Sequence, residues 1–205
     1  MLIPSGAIDV CAVLEARGGC DFDAAPYRVS DYLSADDRVR LLTSMARNAA
    51  GQAIVCQAAR DAIARYAKPV SPGNEVPIAD AAQALLTFVQ KDVGYIDDPE
   101  GEWYQGVRYT LEHGGDCEDM ATLFVAMAAC VGIPARLAWL EQPKARLNHV
   151  TAQVLTPKPS GLLSRGSSEL DWRWAEPTIS SAKIGQHPYD AAKFHGTAER
   201  RKLGF

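Results

Sequence analysis

His113–Val131 reads HGGDCEDMATLFVAMAACV, and the reading of this stretch decides the fold. Gly114, Gly115 and Asp116 lead into Cys117, and two further acids, Glu118 and Asp119, follow it. No charged residue then appears until Arg136. Met120, Phe124, Met127, Ala128 and Val131 recur at helical spacing. The opposite side, Ala121, Val125, Ala126 and Ala129, is small or apolar too, and a helix apolar all round is a buried one. Gly132 and Pro134 supply the stop. Cys117 is therefore expected in the first turn of a central buried helix. The free N–H groups and positive dipole end at that position favour a thiolate, and the same N–H groups can hold an oxyanion during acyl transfer. Gly114 and Gly115 allow a close backbone approach that a Cβ would obstruct. A buried structural cysteine at a helix cap fits this stretch as well.

Outward from this helix, the 205-residue length suits one domain with a sizeable core. The net charge of −4, with no basic run, argues against a nucleic-acid partner. No apolar run approaches the roughly 18 residues of a membrane span. The N-terminus has no basic region before its apolar residues, so no signal peptide is read. The expected location is the cytoplasm or an assembled particle. Five cysteines in no framework spacing read as reduced thiols. Cys11 and Cys20 lack the paired spacing of a metal site.

Residues 1–33, with Pro4, Gly6, Gly18, Gly19 and Pro26, read as an irregular or partly stranded arm. Ser34 can cap a helix, with Asp37 in the capping-box position. Val39, Leu42, Met45, Ala46 and Ala49 form its apolar stripe. After Gly51, a second helix runs from Ile54 to Lys68, where Pro69 stops it. The loop 70–77 is the best internal boundary, which divides the chain into an N-terminal arm with helices (1–77), a core (78–180) and a C-terminal tail (181–205). A third helix is expected from Ile78 to Val93, with Ala82, Leu85, Leu86 and Val89 facing inward. Residues 95–115 read as a long connection whose Trp103, Tyr104 and Gln105 could line a cleft or plug the core. Beyond the central helix the period changes to two. Residues 135–142 and 149–156 read as strands, 156–170 as a hairpin or flap, and 171–178 as a third strand ended by Pro177. Ile179 to Phe205 reads as a polar surface tail, partly helical from Asp190 to Arg201.

A thiol nucleophile needs a base, and the base needs a group to orient its ring. His149 begins one strand and Glu176 ends another, both downstream of Cys117. Alone, each reads more easily as a surface residue; in this order behind a helix-capping cysteine, the three read as one site.

Here the chain resembles a family. GDCEDMATLFVAMAACVGIPAR is similar to the nucleophile motif of the transglutaminase-like superfamily, and above all to the bacterial transglutaminase-like cysteine peptidases. NHVTAQV resembles the family's histidine strand, and WRWAEPT its acid strand, which commonly reads W-x-x-D-P-T. The resemblance runs from about Ala79 to Ile179. It implies an α+β, papain-like fold in which the cysteine helix packs on an antiparallel sheet, here with an added N-terminal helical region. It implies Cys117 as nucleophile, His149 as general base and acid, and Glu176 as the orienting group. Glu176 departs from the usual Asp by one methylene, and Asp171 is the alternative. The family's upstream oxyanion donor would fall to Trp103, Tyr104 or Gln105. The family includes calcium-binding members whose ligands flank the cysteine, and Asp116 and Glu118 match those positions; no other cofactor is required. Without an ion, the three acids around Cys117 would raise its pKa.

The resulting expectation is a cysteine hydrolase acting on amide bonds in a protein or peptide. The same site could transfer the acyl group to an amine or cleave cell-wall peptides. Transglutaminase-like domains also occur as catalytically idle assembly parts of bacterial and bacteriophage particles, and the N-terminal helices would then be the docking region.

Overall fold

A helix with no polar side needs partners in every direction, and the fold supplies them. The computed structural model describes residues 26–28, 34–68, 76–99, 103–142, 147–158, 169–187 and 199–204. Five helices are present among them: α1 (Ala35–Ala49), α2 (Ala53–Tyr66), α3 (Ile78–Asp92), α4 (Val107–His113) and α5 (Cys117–Cys130). The strands are β1 (Tyr27–Arg28), β2 (Trp103–Tyr104), β3 (Ala135–Gln142), β4 (Leu147–Pro157), β5 (Leu170–Ala175) and β6 (Glu199–Gly204). β1 and β2 pair antiparallel, and the other four form an antiparallel sheet in the order β5-β4-β3-β6. Every residue of α5 from Glu118 to Ala128 is buried. Helices α1 to α4 pack around it on one side and strands β3 and β4 on the other.

Period two on the strands gives the sheet one face to turn toward α5. Leu137 lies opposite Ala152 and Trp139 opposite Val150, and all four join the core that holds Leu123, Phe124 and Met127. The N-terminal helices contribute Val39, Leu42 and Val55 to that same core. Ser34 caps α1 as read: its hydroxyl accepts the Asp37 N–H at 3.2 Å and donates to the Asp37 carboxylate at 2.7 Å. Among the described residues no helix is long and apolar enough to cross a membrane.

Three expectations are corrected. The connection before Gly114 contains a helix, α4, whose seven residues are too few for a periodic pattern to declare itself. The end of the expected C-terminal helix is instead β6, which pairs with β3 across Arg136↔Gly204 and Glu141↔Glu199; a strand at the sheet's edge is set by its neighbour as much as by its own residues. The cysteines are not all reduced: Cys56 of α2 and Cys130 at the end of α5 form a disulfide, a bond that persists in oxidising surroundings. Cys117 is the free cysteine among the described residues. Cys11, Cys20, most of the loop 70–77 and most of the flap 156–170 lie outside the described residues.

The disulfide joins positions 74 residues apart. Closing a loop of that length in the unfolded chain corresponds to about 4 kcal/mol on the chain-entropy account. Replacing Cys56 and Cys130 together by Ala should lower the urea midpoint by an amount corresponding to about 2–4 kcal/mol. Equal midpoints for the two proteins would mean that the bond does not stabilise the fold.

Candidate active site

The first turn of α5 is held in place by backbone. Gly115 donates its N–H to the Gly94 carbonyl at 3.1 Å, and Ile96 donates to the Gly115 carbonyl at 3.0 Å. This short parallel bridge joins Tyr95 to Gly115. Gly114 has a φ of +94°, and a Cβ there would run into the Gly94 carbonyl. A Cβ on Gly115 would meet the Asp119 side chain at 2.6 Å. The two glycines are thus required by a close approach, as their place before Cys117 suggested.

Cys117 is the first residue of α5. Burial pushes its thiol well above the ordinary value, the charges of Glu118 and Asp116 push the same way, and the Val150 N–H pulls against them. The thiol lies 3.1 Å from the Glu118 carboxylate. Val150 follows His149 on β4, so the thiol and the histidine strand meet at the helix N-terminus.

The histidine and the acid meet directly. His149 Nε2 is 2.7 Å from Glu176 Oε2. Ala175, the last residue of β5, pairs with Ala152, which delivers residue 176 to the His149 end of the sheet. Thr151 Oγ1 donates to the Ala175 carbonyl at 2.9 Å and fixes that end of the pairing. The other carboxylate oxygen, Glu176 Oε1, accepts the Thr178 N–H at 2.9 Å and the Thr178 hydroxyl at 2.6 Å. Glu176 is 0% exposed. Burial alone would raise its pKa, but the bond to His149, the charge of that ring and the two Thr178 donors outweigh it, leaving the carboxyl below its ordinary value. Glu176 therefore reaches His149 despite its extra methylene. Asp171 does not: it is exposed and pairs with Thr156, at the far end of β4 from His149.

The three upstream residues separate. Trp103 donates its backbone N–H to Asp98 at 2.6 Å, Tyr104 is buried in the core, and Gln105 donates its backbone N–H to Asp119 Oδ1 at 2.8 Å. Gln105 is thus tied to the first turn of α5. Two acid groups have ligand atoms within 4.8 Å of one another, Asp116–Cys117–Glu118 and Asp98–Asp116–Asp119. Burial pushes Glu118 up to about 7, with hydrogen bonds from Asp116 and Cys117 offsetting part of the rise. Asp119 is pushed up to about 8, chiefly by burial and further by the charges of Asp116 and Asp98, against the pull of the Gln105 and Asp116 N–H groups. Its Oδ2 is buried with no hydrogen-bond partner among the described residues. Sequence reasoning named Asp116 and Glu118 as ligand positions and Asp119 as a third acid beside the thiol, and did not reach Asp98. An acid in the helix's first turn and another in the preceding loop were visible, but only folding brings them together. It missed Tyr95 too, which lies close enough for the charges of Cys117 and Asp116 to act on its phenol.

Residues 64–166, half of the chain, match the family model described as the transglutaminase-like superfamily. The chain belongs to the transglutaminase-like superfamily. The antiparallel sheet against a cysteine-bearing helix is this superfamily's papain-like α+β core. Among solved structures the chain is similar to calcium-bound LapG of Legionella pneumophila, at 16% identity over 78% of this chain and 81% of that one, with a TM-score of 0.46. EGTA-treated LapG gives 16% identity, 78% coverage of both chains and a TM-score of 0.45. A candidate cysteine protease from Cytophaga hutchinsonii gives 15%, with 85% of this chain and 56% of that one covered, at a TM-score of 0.40. No curated protein matches the chain.

Glu176 makes stability depend on pH. Its folded pKa is depressed, so the stabilisation it contributes is present above the ordinary carboxylate value and is lost as pH falls through the folded one. Glu176→Gln should cost on the order of 2 kcal/mol at pH 7. The gap to the parent should narrow as pH falls through and below the carboxylate range. Urea unfolding curves at pH 7, 5 and 3 measure it, and a gap that stays constant with pH would contradict the assignment.

Proposed function

We propose that this transglutaminase-like protein is a cysteine-dependent hydrolase that cleaves an amide bond in a protein or peptide. The observation that carries the reading is the His149–Glu176 bond, buried on its acid side, at the end of the sheet that meets the N-terminus of the Cys117 helix. With Nε2 engaged by Glu176, His149 Nδ1 is the nitrogen that takes the thiol proton. Cys117 Sγ then attacks the carbonyl carbon, and the carbonyl π electrons move to oxygen. The Cys117 N–H and an upstream donor hold that oxyanion; Gln105 is favoured because it is fixed to the same helical turn. Collapse of the intermediate breaks the C–N bond, and the amine leaves with the proton from His149. Water adds to the thioester after His149 has taken its proton, and the carboxylic acid leaves as Sγ regains a proton. An amine in place of water would make the same site an acyltransferase. Hydrolysis is preferred because the motif around Cys117 is closer to that of the peptidases.

A cation fits beside the thiol. Asp98, Asp116 and Asp119 offer converging carboxylate oxygens, the hard ligands that calcium takes. The buried Asp119 Oδ2 has no protein partner among the described residues. Bound there, calcium would neutralise the negative charge that raises the Cys117 pKa. Asp116 is common to this group and to the pair with Glu118.

The decisive measurement is the pH dependence of iodoacetamide labelling at Cys117, read by mass spectrometry on the parent and on His149→Ala, with calcium and with chelator. The parent should label faster with calcium than with chelator, because the ion offsets the acids that hold the thiol protonated, and His149→Ala should label about a hundredfold more slowly than the parent. Identical profiles in the two folded proteins would support the idle assembly module instead. Separately, calcium at a hundredfold excess over its Kd should stabilise the parent by about 2.7 kcal/mol in thermal melts. Asp119→Asn should lose most of that gain; if it keeps the gain in full, the ion is not held by Asp119.

A further inference from the structure

The acid is only as well placed as its loop, and one helix holds that loop by side-chain amides. Residues 176–187 form no regular strand or helix after β5. Gln90 of α3 brings its Nε2 to 2.9 Å from the carbonyl of Glu176, 2.8 Å from that of Ile179 and 3.0 Å from that of Ala182. An amide nitrogen has two N–H bonds, so three carbonyls share two donors. Two helical turns earlier, Gln83 Oε1 accepts the Ile184 N–H at 2.9 Å. Thr87 between them bonds back to Gln83. These three residues make a polar ridge beside the apolar stripe of α3, whose Leu85, Leu86 and Val89 are buried in the common core. The far end of the loop closes on β5, where Gly185 donates to the Trp174 carbonyl at 2.7 Å and Arg173 to the Ile184 carbonyl at 2.9 Å.

We infer that Gln90 is the positioning residue for the acid of the site: by binding the peptide carbonyl of Glu176 and two further carbonyls of its loop, it sets the backbone from which a glutamate reaches His149. The inference rests on the proposed cysteine–histidine–acid reading and names the residue that accommodates the longer acid. An aspartate there would need its backbone about one methylene nearer the ring. Three carbonyl dipoles aimed at one point demand a donor and repel an acceptor. Gln90→Glu is nearly isosteric but turns oxygens toward three oxygens. Gln90→Met removes the donor without adding charge. Gln90→Lys restores donors on a flexible stem.

The experiment is the Cys117 alkylation profile with iodoacetamide across pH in the full chain. It compares the parent, His149→Ala, Glu176→Gln, the three Gln90 variants and the double variant Q90M/E176Q, each checked by circular dichroism and melting temperature. Gln90→Glu and Gln90→Met should label about tenfold more slowly than the parent below neutral pH, with profiles shaped like that of Glu176→Gln. Q90M/E176Q should be no slower than Glu176→Gln alone, because both changes remove one device. Gln90→Lys should stay within about threefold of the parent. A role in stability alone would move the melting temperature and leave the profile unaltered. A folded Gln90→Met with the parent's profile overturns the inference while the site reading stands, and so does a double variant whose losses multiply. Identical profiles in the parent and His149→Ala overturn both. If Gln90→Glu does not fold, the Met and Lys variants decide alone.

Discussion

From Glu118 to Ala128, helix α5 has no side that faces water. Such a helix is stable only with apolar partners all round, so α1 to α4 and the sheet are arranged about it. Its ends are the exceptions: Cys117 and Cys130 are half-buried and Ala129 is exposed, and before the first turn the chain becomes polar. That turn places the Cys117 thiol at the helix N-terminus and beside the Val150 N–H of β4. The same place is costly for charge. Glu118 and Asp119 are buried on a helix whose surroundings are apolar, and ionised carboxylates there are hard to keep unless something positive or hydrogen-bonding meets them. Gln105 meets one oxygen of Asp119 and Thr178 meets Glu176. The second oxygen of Asp119 is buried without a close hydrogen bond among the described residues, and the backbone of Asp116 lies close enough to lower the acid's pKa.

The helix dipole and the acids act on Cys117 in opposite senses. Free N–H groups at the helix start favour a thiolate, as does the Val150 N–H, while burial with Glu118 and Asp116 favours the thiol. Here burial and the acids win. The poise of the sulfur is therefore set less by its helix than by what neutralises its neighbours, which is why the acid corner and the histidine belong to one site.

Much of this was legible in the residues. The period-3.6 run in 117–130 and the period-two runs in 135–142 and 149–156 name their elements because burial on a fixed face leaves a pattern in the chain. Glu-Pro-Thr just after β5 held the acid and the Thr178 that grips it, although only the register of β4 with β5 showed that Glu176, and not Asp171, meets His149. Helix α4 and strand β6 were hidden for opposite reasons. The first is too short for a period, and the second depends on a distant neighbour, β3, with pairs that run from Glu141↔Glu199 to Arg136↔Gly204. Asp98, the Cys56–Cys130 pair and the Gln83–Gln90 ridge were invisible for a third reason: each acquires meaning only from residues far away in sequence. The glutamines did leave a trace, two amides on one line of α3, adjacent to the apolar stripe rather than opposite it.

The disulfide also sorts the sulfurs. Cys117 and Cys130 stand at opposite ends of one straight helix, about 20 Å apart at 1.5 Å per residue. Bridged cysteines need Cα atoms within about 7 Å of each other. Once Cys56 has taken Cys130, Cys117 has no disulfide partner within reach among the described residues. Among the described residues, surroundings oxidising enough to close that bond leave Cys117 as a thiol. The helix between the two sulfurs thus works as a spacer, keeping the Cys117 thiol apart from the crosslink at the other end.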